Sequence, residues 1–444
     1  MKAGIISLGC AKNLVDTEVM LGIMKSHGVT ITPNPSEADI LIVNTCAFIA
    51  SAKEEAITNI VTFADYKESG RCRSLIVAGC LGQRYRKELL DEMPEIDAII
   101  GTNAWDRIME AIDETLAGNR VILIGDNEII YGAKTPRLRT TPDYTAYVKI
   151  AEGCDHRCSF CAIPLIRGKQ ISRTIEDIRE EVAKLAEEGV KEINLIAQDT
   201  TNYGRDIYGE PRLADLLREL VKVEKVFRIR ILYSYPKNFT DDLIDVIANE
   251  PKICKYVDLP LQHADNEILK SMRRPDTRES VTELIKKIRE KIPGVSLRAT
   301  FIVGYPGETD EQFQTLKNFV EEIRPDKVGV FVYSPEEGTS AYELDGQILE
   351  DVAQERYHEL MSVQSLISQE INESLVGKEF DVLIEGRDRE SSEIAAGRSY
   401  REAPEVDGQF YIENDSLSEP GDIVRVKVTA GFVYDVAAER IDEE

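Results

Sequence analysis

Long apolar runs are missing from this 444-residue chain: no stretch approaches the ~18 apolar residues that cross a membrane. Met1 to Cys10 holds too short an apolar run for a secretory leader. Positive charge is scarce, with 54 Lys and Arg against 80 Asp and Glu, a net charge of −26 and a pI near 4.7. Nucleic-acid affinity comes largely from Lys and Arg displacing counterions, so such a surface disfavours a phosphate backbone. It favours a basic partner, or simple solubility. The eight cysteines are clustered within a long chain, which excludes a small disulfide scaffold. They read as metal ligands in a reducing compartment, by default the cytoplasm. What remains is globular, 43% hydrophobic and 30% charged, with length enough for two to three domains.

Three of the cysteines fall in one loop. Cys154, Cys158 and Cys161 are spaced C-x3-C-x2-C directly after the apolar run Tyr147-Val148-Lys149-Ile150-Ala151. Thiolates are soft ligands for zinc, Cu(I) and iron–sulfur clusters. Three of them can hold three irons of a cubane and leave the fourth open, which is where a substrate or cofactor binds. A zinc loop closed by His156, or plain buried cysteines, are the alternatives at this point.

Residues 1–130 alternate apolar runs (4–8, 39–43 and 74–78) with amphipathic stretches (15–27, 52–66 and 84–92). Continuous apolar strands separated by helices predict a doubly wound α/β sheet buried on both faces. Ligands of such sheets bind beyond the carboxyl ends of the strands. Cys10, Cys46 and Cys80 each fall one to three residues past such a run, which predicts a second three-thiolate cluster. Cys72 and Cys254 lack that placement and read as structural.

Residues 131–145, with Pro136 and Pro142, read as a linker. Over 146–375 the pattern predicts an incomplete (βα)6 parallel barrel, with strands at 145–151, 192–197, 227–233, 256–261, 296–303 and 327–333, closed by a helix over 349–375. The active site of such a barrel lies at its strand C-termini. Gln198-Asp199-Thr200, Gln262-His263 and Gly304-Tyr305-Pro306-Gly307 fall there as well. Arg273-Arg274 read as an exposed basic face. The tail, 376–444, alternates as strands with glycines at the turns and predicts a small antiparallel β-barrel, OB-like. It carries eight Lys and Arg against eighteen Asp and Glu, the wrong sign for a nucleic-acid-binding face.

The three-cysteine spacing, with Phe160 before its last cysteine, resembles the radical S-adenosylmethionine superfamily. The complete layout resembles the methylthiotransferase family, with an N-terminal three-cysteine domain, a radical barrel and a C-terminal TRAM barrel. Ser7-Leu8-Gly9-Cys10-Ala11-Lys12-Asn13-Leu14-Val15-Asp16 resembles its RimO branch, which modifies ribosomal small-subunit protein twelve on an aspartate. So does the segment from Gly397-Arg398-Ser399-Tyr400 to Val406-Asp407-Gly408. The resemblance implies two 4Fe-4S clusters and S-adenosylmethionine. Cys154, Cys158 and Cys161 would hold the catalytic cluster, whose open iron binds S-adenosylmethionine and yields a 5′-deoxyadenosyl radical. That radical would take hydrogen from the aspartate β-carbon. Cys10, Cys46 and Cys80 would hold the cluster carrying the sulfur, and a second S-adenosylmethionine would supply the methyl group. Phe160, Gln198 and Gly304 would line the cofactor pocket. The implied partners are the basic ribosomal protein, a flavodoxin- or ferredoxin-like electron donor and a sulfur donor. The acidic tail agrees with the protein substrate. A tRNA adenosine methylthiotransferase and a non-catalytic iron–sulfur scaffold are the rival readings. The scaffold is disfavoured because a carrier ligates its clusters fully.

Overall fold

The computed structural model describes residues 1–125, 130–388, 391 and 393–441. In the N-terminal part the chain runs β1 (Lys2–Ser7), α1 (Ala11–Ser26), β2 (Thr30–Ile31), β3 (Ile40–Thr45), α2 (Ala50–Ser69), β4 (Ser74–Gly79), α3 (Cys80–Glu92), β5 (Ala98–Ile100), α4 (Ile108–Leu116) and β6 (Val121–Leu123). The strands form one parallel sheet in the order β2-β1-β3-β4-β5-β6. Apolar residues of α1 and α4 cover one face, and those of α2 and α3 the other. Every residue of β3 and β4 is buried, as their unbroken apolar runs require. The strands β2, β5 and β6, of two or three residues, carry no pattern that sequence reading resolves.

Helix α1 is covered on both sides, and eleven of its sixteen residues are buried. Among them are Lys12, Asp16 and Glu18, which a surface helix would turn to water. The cause is the central domain, which packs against α1 through Tyr147, Ile196, Leu232 and Tyr256. Residues 131–144 cross α1 closely: a side chain at Gly22 would come within 2.5 Å of the Arg137 amide nitrogen. Arg137 pairs with Glu18 (2.6 Å) and Glu181 (2.8 Å), so this connection is pinned to both domains it joins.

The central domain runs β7 (Thr145–Lys149), β8 (Ala151–Glu152), α5 (Ile163–Ile166), β9 (Ile171–Ser172), α6 (Ile175–Glu187), β10 (Glu192–Ile196), α7 (Arg205–Tyr208), α8 (Leu213–Leu220), β11 (Arg228–Ile231), α9 (Asp241–Asn249), β12 (Tyr256–Gln262), α10 (Asn266–Ser271), α11 (Arg278–Lys291), β13 (Ser296–Val303), α12 (Asp310–Ile323), β14 (Lys327–Val332) and α13 (Glu350–Glu373). All six expected barrel strands are present. They form two parallel triplets, β7-β10-β11 and β12-β13-β14. Among the described residues a single parallel bridge, from Ile229 to Ile253 just before β12, lies between the triplets where a continuous barrel would have a ladder. One apolar core runs through both. The tail strands, β15 (Glu379–Arg387), β16 (Ala395–Arg398), β17 (Phe410–Glu413), β18 (Ile423–Gly431) and β19 (Val436–Arg440), close a barrel in the order β15-β16-β17-β19-β18. Its pairs are antiparallel except β17 with β19.

The tail barrel seats against the N-terminal ends of the central strands. Glu192, at the first position of β10, is fully buried and meets Arg228 (2.8 Å), Arg230 (3.4 Å) and Arg398 of the tail (2.6 Å). Arg230 also donates to the Tyr400 carbonyl (2.7 Å), Arg401 pairs with Asp326, and Asp407 accepts from Tyr256 (2.7 Å) and Arg298 (2.6 Å). The segment 397–408 is therefore a plug in the bottom of the half-barrel, opposite the cysteine rims.

Burial alone would raise the Glu192 carboxyl, but Arg228, Arg398 and Arg230 outweigh it and hold the group well below the usual carboxylate range. Its contribution to stability is fully present above the ordinary carboxylate pKa of about 4.3 and is lost as pH falls toward the depressed folded value. Glu192→Gln leaves buried guanidinium groups without their counter-charge and should cost about 3–5 kcal/mol at neutral pH. Urea unfolding checks this: the gap between wild type and variant should narrow as the solution is acidified.

Candidate active site

Three adjacent strands deliver the N-terminal cysteines to one rim. Ser7 lies beside Asn44, and Thr45 beside Gly79, so β1, β3 and β4 end level. Cys10 caps α1, Cys46 follows β3, and Cys80 opens α3. The reversal of strand order falls between β1 and β3, where sheets of this kind open a crevice. Gly9 is forced by this closeness: its φ is +86°, and a side chain there would stand 2.6 Å from the Cys46 Cβ and 3.0 Å from its sulfur. Asn13 ties the loops together, donating to the Leu8 (3.0 Å) and Thr45 (2.8 Å) carbonyls.

The central cysteines occupy the loop after β7 and β8, at the top of the half-barrel. Gly153, with φ +80°, lets the chain turn against the Lys169 carbonyl, which any side chain would strike. The Cys154 amide donates to the Gly168 carbonyl (3.0 Å), and the Ser159 amide to that of Met272 (3.0 Å). His156 is turned toward Asp199 (2.7 Å) and stacks on Tyr235 with ring centroids 3.9 Å apart. It is thereby occupied as a support of the loop, which removes the ground for a zinc site closed by His156. Arg273 is exposed, but Arg274 corrects the reading of this pair as a basic surface. It is buried, lies over the Tyr235 ring at 3.9 Å and donates to the Pro260 carbonyl (2.9 Å). The stack of His156, Tyr235 and Arg274 shields it from water and sets its charge beside Cys158.

Burial pushes the Cys80, Cys154 and Cys161 thiols up to about 12, and raises Cys46 and Cys158. For Cys10 the same burial is outweighed by the charges of Lys12 and Arg167 and by backbone amides, so its pKa is lowered. Within each trio the sulfurs feel one another's charge. Two all-sulfur trios, each gathered at strand ends and ionised most readily by an arriving cation, fit iron–sulfur clusters.

The expected cofactor residues lie at the same top rim. Gln198 donates to Glu152 (2.7 Å), while its Oε1 is buried without a partner. Phe160 packs beside Ile268, Met272, Tyr305 and Tyr333. Gly304 has a packing reason of its own: its φ is +72°, and a side chain would stand 2.5 Å from the Ala353 Cβ on α13. His263 is a buried core residue, its Nδ1 accepting from the Asp265 amide (3.0 Å) and its Nε2 facing Glu308 at 3.5 Å. Asp199 is committed to His156 and to the turn at Thr201 and Asn202.

The chain matches "Uncharacterized protein family UPF0004" over residues 2–101 and the radical SAM superfamily over 148–320. A TRAM domain matches over 376–441. Curated relatives align over nearly the whole length. A ribosomal protein uS12 methylthiotransferase RimO of Desulforamulus reducens is 52% identical, covering 98% of both chains. Those of Pelotomaculum thermopropionicum and Geobacter sulfurreducens are each 48% identical, covering 99% of this chain and 99% and 98% of theirs. The chain belongs to the RimO family of methylthiotransferases. The fold is also that of a radical S-adenosylmethionine methyltransferase, TsrM from Kitasatospora setae, at TM-score 0.54 and 14% identity, covering 75% of this chain and 76% of that one.

In this RimO-family chain the two cysteine rims are joined by side chains that sequence reading missed. Arg167, 1% exposed, reaches the Cys80 sulfur (3.6 Å), Asn13, Asp16 (3.1 Å) and Glu152 (2.8 Å). Lys149 pairs with Asp16 and Glu152 (2.5 Å), and Glu152 accepts from Gln198. A continuous path therefore runs Cys80–Arg167–Glu152–Gln198 from one rim to the other. The signal for it was two charges, Lys149 inside a strand-like apolar run and Glu152 directly after it. Cys72 and Cys254 are buried in apolar clusters, as structural cysteines.

The glycines separate the two rims experimentally. After anaerobic reconstitution, wild type should hold about eight irons. Gly9→Ala should fall toward about four, losing the N-terminal set, and still cleave S-adenosylmethionine. Gly153→Ala should fall similarly but lose that cleavage. Iron and sulfide analysis with 5′-deoxyadenosine measurement checks both.

Proposed function

We propose that this chain is a radical S-adenosylmethionine methylthiotransferase that places a methylthio group on the β-carbon of an aspartate of ribosomal protein uS12. The observation that carries the reading is the junction of two all-cysteine rims across one seam, by the path from Cys80 to Gln198. The relatives named uS12 methylthiotransferase support the substrate.

Cys154, Cys158 and Cys161 hold one 4Fe-4S cluster, and Cys10, Cys46 and Cys80 the other. Bound there, the clusters and S-adenosylmethionine supply one-electron and sulfur chemistry that side chains lack. Gln198 offers its unpartnered Oε1 to the cofactor's amino group, with Glu152 fixing the orientation of the amide. Phe160 gives the pocket an apolar wall, and the turn at Gly304 brings α13 against it to exclude water. Arg167 holds the N-terminal rim at a fixed distance from the barrel rim. A flavodoxin- or ferredoxin-like protein supplies electrons, a separate donor restores the sulfur, and the reaction proceeds in the cytoplasm.

The tail favours protein over RNA. Two of its eight cations, Arg398 and Arg401, are buried in the plug, and Arg425 is paired with Glu379 (3.3 Å) and Asp381 (3.0 Å). Two acids, Glu402 and Asp415, are buried as well, so the exposed surface keeps the acidic balance of the composition and suits a basic ribosomal protein. No helix among the described residues is long and apolar enough to cross a membrane.

The deciding assay incubates the reconstituted protein anaerobically with S-adenosylmethionine, reductant, sulfide and either uS12 or tRNA. Mass spectrometry should find methylthio-aspartate in uS12. The triple variant Cys10→Ala, Cys46→Ala, Cys80→Ala should still release 5′-deoxyadenosine without forming that product. Modified tRNA with untouched uS12 would overturn the reading.

A further inference from the structure

Lys12 stands in the first turn of α1, two residues past Cys10, and is 7% exposed. Its ammonium lies 3.1 Å from the centroid of the Tyr233 ring, which follows β11 at the top of the half-barrel. The side chain therefore spans the seam between the two cysteine rims. Among the described residues nothing hydrogen-bonds or ion-pairs with its Nζ. The opposite charge it feels most is the Cys10 thiolate, two residues away; the carboxylates within reach of its charge, Glu152 and Asp258, are already taken. Glu152 accepts from Lys149, Arg167 and Gln198. Asp258 accepts the Tyr233 amide (2.8 Å) and stands 3.8 Å from Arg298. Asp16 is shared by Lys149 and Arg167. The network of Asp16, Glu152, Lys149 and Arg167 is neutral by itself, so no carboxylate of the seam is left to accept from the Lys12 ammonium.

An ammonium held in a buried side chain with no acceptor for its N–H donors is costly, and a ligand that accepts from them completes it. Tyr233 bears a second cost, since its φ of +63° is one that a bulky residue rarely holds. Its amide is pinned to Asp258 in that conformation, and the result is an aromatic floor under the ammonium. Strain, an aromatic floor and unpartnered N–H donors coincide at the seam where the two rims meet.

We propose that Lys12 is a specificity-determining residue: its ammonium, over the Tyr233 ring, receives the side-chain carboxylate of the residue to be modified. This rests on the reading that the substrate is an aspartate of uS12. A carboxylate seated there makes charge-assisted hydrogen bonds to Nζ in a site shielded from water. An amide or an uncharged base in its place would leave the ammonium unpaired, which is how a polar site rejects an isostere. Seating the carboxylate on Lys12 also places its neighbouring β-carbon in the seam, within the space that both rims border.

The test uses full-length, reconstituted protein and measures binding of purified uS12 and of uS12 with the target aspartate changed to asparagine. Wild type should prefer the aspartate form by about tenfold or more. Lys12→Met and Lys12→Gln should bind both forms alike, and Lys12→Arg should keep part of the preference. Circular dichroism and iron content establish that each variant is folded and loaded. Equal binding of the two forms by wild type, which involves no variant, would overturn the proposal. So would a preference that survives in Lys12→Met, which would assign the charge to balancing the neighbouring cysteine rim. Failure of wild type to modify uS12 at all would instead bring down the substrate assignment on which the seat rests.

Discussion

Asp16, Lys149, Glu152 and Arg167 form a buried square of two anions and two cations, and the relation between the two cysteine rims depends on it. Lys149 and Arg167 are each about 1% exposed, and each meets both carboxylates. Such clusters add little net stability, because the desolvation of each charge offsets the attraction. Their effect is geometric. Any slide of the N-terminal sheet over the barrel would leave charges unpaired out of water, so a single register is retained. That register sets Cys80 beside Arg167 and Gln198 beside Glu152. The chemistry proposed for the two rims would need that fixed separation.

The same device works at the opposite end of the barrel, to a different effect. Glu192 is surrounded by three arginines, one of them contributed by the tail, and the plug 397–408 fills the mouth that an incomplete barrel leaves open below. Closing the bottom leaves the cysteine rims to be approached from the top. A cavity of about 800 Å³ remains beside this junction, lined by Lys252, Lys255, Lys378 and Tyr400 among others; it lies away from the cysteine rims. The chain thus uses buried charge twice, to set the spacing above and to seal below.

These demands explain why polar residues fall where an apolar pattern predicts core. Helix α1 carries Lys12, Asp16 and Glu18 within its buried surface, because it lies between two domains and not at an edge. Glu18 answers the arginine of the connecting segment, Asp16 answers the barrel, and Lys12 reaches the seam. One helix therefore fixes the connection, the register and, on the proposal above, the substrate.

The sequence by itself determined the chemistry and the order of the parts. Thiol spacing in one loop, and thiols at the ends of three apolar runs, are local signals, since a strand and the loop after it are neighbours in sequence. The six barrel strands and the apolar tail strands were legible for the same reason. The split of the half-barrel, the minor strands and the parallel pair in the tail were not, because short segments carry no periodicity and pairing is long-range. The segment 397–408 could be matched to a family, yet nothing in it showed that its arginines and aspartate face inward. Arg274 looked like surface and is core; Asp199 and His263 lie at strand ends that the sequence marked, and are supports. Only the tertiary structure decided those roles, because whether a charged side chain is free, paired or spent depends on partners more than a hundred residues away, as with Arg167 and Asp16 or Arg398 and Glu192.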